Sequence, residues 1–323
     1  MVDVSNIRPI AILAGYLATA VLLTSWCIAI IRVRLGVATG LSPIGEARRR
    51  SAMTVFSLLA VVSFATTWYH MFRFFEWSYI QWAVSSGFEQ VSADPNGLHL
   101  GQWLRETQLF RQAWASTLET PPRAWWSMQI FGFCANWSVL LAAQAKKRSI
   151  PHMWVFMLLG QVVAISFAAN LSFLAFTVYD VAGPSKKTPP KHIVATPSSS
   201  PFWWPVILGF NISIAVSIPN LFDNPRFMQI LMLPHILAFA PLLLNRLLPV
   251  QVPAHLLNQP SMFYKIGTMA VVLILATNEV KSAGGDFDLI LSTFHEHPAV
   301  SSVGWDVICC WVSFGAWHIF GQK

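Results

Sequence analysis

The sequence predicts an all-α fold, a polytopic integral membrane helix bundle, and three observations predict it. Charged residues make up 11% of the 323-residue chain and hydrophobic residues 55%, with a mean hydropathy of +0.53, whereas an average soluble domain carries roughly 25% charge. Apolar runs of about 20 residues, the length that crosses a hydrocarbon core, recur between charges and prolines. The polar content, basic clusters, heptads or paired cysteines that would make a soluble globule, a disordered chain, a nucleic-acid-binding domain, a coiled coil or a disulfide-stapled module are missing.

Eight runs fit a span, and together they make residues 1–323 a single transmembrane domain: Ile10–Ile31, Ala52–Phe72, Trp125–Ala143, Trp154–Tyr179, Phe202–Phe222, Phe227–Leu248, Phe263–Asn278 and Val300–Phe320. The first is too long for a signal-peptide core and reads as a retained span. The second is extended by an amphipathic stretch through Trp82. Ser85–Pro122 is polar, with helical spacing around Trp103, Leu104, Phe110 and Trp114, and is expected to lie at the interface over the mouth of the bundle. Gly183–Pro201, rich in Pro, Ser and Lys, reads as a flexible loop, and Lys281–Pro298 as a loop able to fold over an entrance. Cys27, Cys134, Cys309 and Cys310 fall inside apolar runs and form no CxxC pair, so they read as packing residues.

Orientation follows from Lys and Arg beside the early spans, because positive charge favours the cytoplasmic face. Arg32, Arg34, Arg48, Arg49 and Arg50 follow the first span, and Lys146, Lys147 and Arg148 follow the third, which predicts a lumenal N-terminus. Eight spans then place Lys186, Lys187 and Lys191 in the lumen and Glu279–Pro298, with four acids, in the cytoplasm. Either the early loops dominate or the count is off by one. The net charge of +7 is that of loops facing a lipid bilayer, with no nucleic-acid partner implied.

Ionisable groups inside spans are costly and usually face a cavity. In Trp68–Tyr79, a helix places Tyr69, Arg73 and Glu76 on one face with His70 beside it. Arg73 and Glu76 either pair at i, i+3 or leave Glu76 to a cavity. In the last span Pro298 opens the helix, so Trp305 and Asp306 lie one to two turns inside; Asp306 is either a structural acceptor of backbone amides or a group facing a cavity. Asn136, Asn170 and Asn211 sit near the middle of their spans, each followed two residues later by Ser, and read as interhelical hydrogen-bonding groups. His235 lies between Pro234 and Pro241, where a disturbed backbone lines a cavity or kinks the helix. Asn278 and Glu279 close the seventh span.

Walker, GxGxxG and HExxH motifs are absent, as are arrays of His ligands. Asn220–Asp223 and Asp286–Asp288 are fragments of the paired Asp-rich motifs that hold magnesium in diphosphate-ionising prenyl enzymes, so neither a metal nor a cofactor is expected. A few carboxyls amid 23 Phe, 15 Trp and 5 Tyr suit proton-initiated carbocation chemistry. A neutral carboxylic acid in a dry site can protonate an epoxide or alkene, and aromatic faces stabilise the migrating charge. Phe133, Trp137, Phe167, Phe173 and Phe210, too deep for interfacial belts, are the expected walls.

The span layout, Phe75-Glu76-Trp77 after Tyr69-His70, Trp125-Trp126, Asn136-Trp137 and Gly304-Trp305-Asp306 resemble the fungal membrane-bound terpene cyclases of ascofuranone and ascochlorin biosynthesis, a meroterpenoid cyclase family. The resemblance implies a prenylated aromatic substrate, farnesylated and epoxidised at its terminal alkene, cyclised without metal in the endoplasmic reticulum membrane. It carries Glu76 and Asp306 over as the acid candidates without assigning their separate roles. Two other classes fit the composition: a small-solute or proton-coupled transporter using the Asn and His residues as a polar path, and a non-catalytic lipid-binding membrane protein.

Overall fold

A computed structural model describes residues 6–36, 42–87, 99–179, 203–247 and 262–321, and these contain thirteen α-helices and no strand. Three helices are long and apolar enough alone to cross a membrane: α1 (Ile7–Leu35), α2 (Pro43–Ser85) and α13 (Pro298–Phe320). A fourth is added if α11 (Met262–Ser282) and α12 (Phe287–Glu296), bent by 95°, count as one broken span. The remaining helices are α3 (Leu100–Glu106), α4 (Leu109–Ser116), α5 (Pro121–Arg148), α6 (Met153–Val162), α7 (Ile165–Tyr179), α8 (Trp203–Ser217), α9 (Phe227–Leu237) and α10 (Ala240–Leu247). The expected loop Gly183–Pro201 lies outside the described residues.

Helix α5 is the axis of the bundle. Its 28 residues are buried along most of their length, including Gln129, Asn136 and Gln144. A helix covered by other helices can carry such side chains because they bond within protein rather than face lipid. Helix α2 starts at Pro43, with the Ser42 hydroxyl accepting from the Gly45 N–H, an N-cap arrangement. Its 43 residues reach roughly 65 Å, about twice the hydrocarbon thickness. The last 13 residues, beyond Phe72, form a platform at one end of the bundle. On it sit α3 and α4, where the Trp103 indole donates to Ser78 (3.3 Å) and the Ser78 hydroxyl to Gln112 (2.8 Å).

The segment expected to be an entrance loop is in fact helical. Gly284, at φ +78°, turns the chain after α11, and the Asp286 carboxylate caps α12 by accepting from the Leu289 N–H at 2.9 Å. Buried Ile290, Thr293 and Phe294 form its inner face. Phe294 packs so closely on α13 that a Cβ at Gly304 would stand 2.5 Å from its ring.

One end of the bundle is basic. Arg48 donates to the Ile319 carbonyl at the end of α13, Arg148 to the Phe176 carbonyl near the end of α7, and Arg34 lies over the Tyr179 ring. The other end carries Glu119 and Glu296, both paired with Arg123, together with Glu106.

This geometry corrects the fourth expected span. Tyr179 at the end of α7 donates to the Ile30 carbonyl (3.2 Å), while Trp154 at the start of α6 packs on Trp26, one turn away on α1 (centroids 5.4 Å apart). A continuous helix over Trp154–Tyr179 would part these residues by roughly 38 Å. Instead α6 climbs about 15 Å from the basic end, the chain turns at Val163–Ala164, and α7 descends to the same end. The pair is a helical hairpin. A break at this depth is viable only where protein satisfies the freed backbone groups. Tyr16 on α1 donates to the Val162 carbonyl at 2.9 Å, and Asp306 on α13 accepts the first N–H groups of α7.

Two predictions follow from these placements. In sealed vesicles, epitope tags at the N-terminus and within residues 183–200 should be cleavable from opposite faces; tags on the same face would restore the continuous fourth span. The second concerns Glu106, whose carboxylate accepts from the Trp82 indole (2.9 Å), Gln102 (3.0 Å) and Arg105 (3.2 Å). These donors, the indole foremost, hold its carboxyl below the usual range, because they favour the charged form. A depressed folded value gives stability that is complete above the ordinary carboxylate range and lost as pH falls through the depressed value. Protection of amides 100–106 from hydrogen exchange should therefore fall as acid takes the pH below the ordinary carboxylate range, and Glu106→Gln should lack that transition; an identical acid response in both proteins would contradict the assignment.

Candidate functional site

The hairpin tip forms one wall of a cavity of about 210 Å³ in the half of the bundle away from the basic end. Gly160, Gln161 and Val163–Ile165 come from the tip, Thr67, Met71 and Phe74 from α2, Ile130, Phe131 and Cys134 from α5, and Ser302, Val303 and Asp306 from α13. Trp114, Thr117 and Leu118, on α4 and the turn after it, add a further wall, and Asn211 on α8 with Pro234 and His235 on α9 complete it. The lining is mostly apolar and has three large aromatic walls, Phe74, Trp114 and Phe131. The volume is below the roughly 300–1,000 Å³ of drug-sized sites.

Asp306 is the one carboxyl on this lining among the described residues. It is 7% exposed, and its Oδ2 and Oδ1 accept from the backbone N–H groups of Ile165 (3.0 Å) and Ser166 (2.8 Å). These are the first two N–H groups of α7, orphan donors that need an acceptor from another element. The two bonds use two of a carboxylate's roughly four acceptor positions, so Asp306 both caps the half-helix and keeps acceptor capacity for the cavity it lines.

A second polar group faces the same space. His235 Nδ1 is hydrogen-bonded to Gln161 Oε1, while Gln161 Nε2 donates to Cys134 Sγ (3.2 Å) and Met157 Sδ (3.4 Å). Trp114 and Phe131 stand edge-to-face with the imidazole, at centroid distances of 4.6 and 5.6 Å. His235 Nε2 is buried without a hydrogen-bond partner. Pro234 inside α9 has its carbonyl bonded by Asn211 Nδ2 at 3.3 Å, which ties α8 to the disturbed helix beside the cavity.

The structure therefore brings Asp306, His235 and Asn211 together and leaves Glu76 outside. Glu76 and Arg73 pair at 2.6 Å with both side chains more than half exposed, on the part of α2 beyond the expected span. Tyr69 is exposed and His70 packs edge-on against it, again off the cavity lining. Asn136 donates back to the Gly132 carbonyl, and Trp137 fills the space left by Gly160 and donates to Ser172. Asn170 bridges three helices, donating to Ser63 on α2, Ser313 on α13 and the Ser166 carbonyl. Trp305 packs on Phe294, and Asn278 and Glu279 are exposed near the far end of α11.

None of the expected aromatic walls lines the cavity. Phe133, Trp137, Phe167 and Phe173 are buried in helix packing, and Phe210 is 59% exposed on the bundle surface. Gln161, unmarked in the sequence reading, is the cavity's central polar connector; its only signal was an amide inside an otherwise apolar run. Compared with known proteins, the chain matches no family model, no curated protein and no solved structure.

The capping role of Asp306 predicts a graded loss of stability. Asp306→Asn retains one acceptor and strands one N–H, and Asp306→Leu strands both, each stranded donor costing about 1–3 kcal/mol. Thermal unfolding in lipid nanodiscs should rank wild type above Asn and Asn above Leu; an unchanged midpoint for Leu would show that the bonds to Ile165 and Ser166 do not anchor the hairpin.

Proposed function

We propose that the protein is a metal-independent cyclase of the endoplasmic reticulum membrane that closes an epoxidised farnesyl chain carried on an aromatic head. The observation that carries this reading is a lone buried carboxyl, Asp306, on the wall of a mostly apolar, aromatic-faced cavity. In its neutral form the carboxyl still accepts both α7 N–H bonds on its remaining lone pairs, and as proton donor it would transfer its proton to the epoxide oxygen. The C–O bond to the more substituted carbon breaks with its electron pair going to oxygen, which becomes a hydroxyl. Alkene π electrons then form the ring bonds, and loss of a proton from the carbon beside the last cation restores a double bond, that proton returning to the Asp306 carboxylate and resetting the acid. Substrate and product are isomers, and no other reactant is consumed. Phe74, Trp114 and Phe131 face the path of the charge, each desolvated ring worth roughly 2 kcal/mol to a cation above it. Glu76, held by Arg73, takes no part in the proton transfer.

In this reading α1, α2, α5, α8, α9–α10, α11 and α13 make seven crossings, with α6–α7 re-entrant. The basic end is then cytoplasmic and the N-terminus lumenal. Seven crossings also return Lys186, Lys187 and Lys191 to the cytoplasmic side and the acids of α12 to the lumen, which removes the conflict that eight spans create.

A transporter is the second reading, favoured by the broken hairpin, since discontinuous helices often meet at transport sites. It requires a path from the cavity to the basic end. That route is filled by Phe56, Phe173, Phe176 and Trp317, all fully or almost fully buried and packed ring on ring, with Phe173 stacked on Trp317 at 5.0 Å. A pocket closed on one side supports the enzyme.

Microsomes containing the protein, given a farnesyl phenol epoxide and EDTA, should yield a cyclised isomer of unchanged mass. Asp306→Asn should lower turnover at least about a hundredfold at a temperature where the variant remains folded, and Glu76→Gln should leave it near wild type. No cyclised isomer, or full activity in the Asp306 variant, would overturn the assignment.

A further inference from the structure

The group that the proton transfer leaves unused is His235. Its surroundings fix its hydrogen-bonding sense. Gln161 spends its amide N–H groups on the sulfurs of Cys134 and Met157, so its carbonyl oxygen faces the imidazole and Nδ1 must be the donor. The other nitrogen of a neutral imidazole is then a bare acceptor. That nitrogen, Nε2, is buried, unpartnered and part of a cavity-lining residue. A buried acceptor left unmet costs about 1–3 kcal/mol, a cost that a ligand can recover. Around it stand two aromatic rings, Trp114 and Phe131, which complement another flat ring by offset or edge contacts.

We propose that His235 Nε2 accepts the hydroxyl proton of a phenolic head group, seated between Trp114 and Phe131, and so sets the register in which the prenyl chain lies along the cavity toward Asp306. Nδ1–H to Gln161 holds the tautomer, and Pro234 with Asn211 holds the ring's position. His235 in this role binds and orients; it exchanges no proton with the reacting carbons. The inference deepens the cyclase reading by naming the head group, and it rests on that reading for the rest of the substrate.

The test compares binding of a farnesyl phenol and its O-methyl ether to the full-length protein in nanodiscs, read by quenching of intrinsic tryptophan fluorescence and corrected for partition into protein-free nanodiscs. The phenol should bind at least about tenfold more tightly. His235→Phe, close in size, should abolish the preference while leaving ether binding near wild type, and His235→Gln, which restores an acceptor oxygen, should regain part of it. Equal binding of phenol and ether to the wild type, or a preference that survives in His235→Phe, overturns the proposal. A preference without any cyclised isomer from the epoxide would sink the cyclase and leave this site standing. Equal binding of phenol and ether together with cyclisation of both would do the reverse.

Discussion

Two backbone N–H groups, those of Ile165 and Ser166, stand at a depth in the bundle where water cannot reach them, and the carboxylate of Asp306 satisfies both. Much of the architecture follows from that constraint. A helix that starts inside a membrane exposes donors that lipid cannot meet, so the hairpin needs an acceptor from another element. Helix α13 supplies it, and α1 supplies the complementary donor through Tyr16 to the Val162 carbonyl. The turn at Val163–Ala164 is thereby pinned from two sides and leaves a cavity instead of a packed core. The residue that makes the break tolerable is also the acid at the cavity wall, so stability and any proton transfer share one side chain.

The aromatic residues divide along the same line. Below the hairpin tip, Phe56, Phe173, Phe176 and Trp317 interlock and close the basic end. Above it, Phe74, Trp114 and Phe131 border open space. Burying a charge is costly and burying a ring is favourable, so a chain with 11% charged residues can hold one ionisable carboxyl deep in the bundle only where donors are aimed at it. Trp114 belongs to α4, which lies over the last turns of α2, so the short helices complete the cavity as well as cover it.

Much of this was legible in the sequence. Long apolar runs gave α1, α2, α5 and α13, and the i, i+3 spacing of Arg73 and Glu76 allowed for the pair that forms. Asp306 stood out as a lone acid one to two turns inside the last helix, and His235 as a polar residue between prolines. The hairpin was not legible from pattern, because Gly160–Ile165 contains no proline and apolar residues continue on both sides of the turn. Its trace was indirect: eight spans put Lys186, Lys187 and Lys191 opposite the basic loops after the first and third spans, against the preference of positive charge for one face. Helix α12 was hidden because its acids mark a cap, Asp286, rather than a loop. The cavity walls were unreadable for a geometric reason, since depth in a span does not say which neighbour a ring will face.

The most direct test is an experimental structure of the protein in nanodiscs with an unreactive mimic of the cyclising cation, a farnesyl phenol whose epoxide-bearing carbon is replaced by a tertiary ammonium. The account predicts the ammonium within reach of Asp306, the phenol on His235 between Trp114 and Phe131, and the bonds from Ile165 and Ser166 still in place. A ligand bound elsewhere, or a continuous helix through residues 154–179, would contradict it.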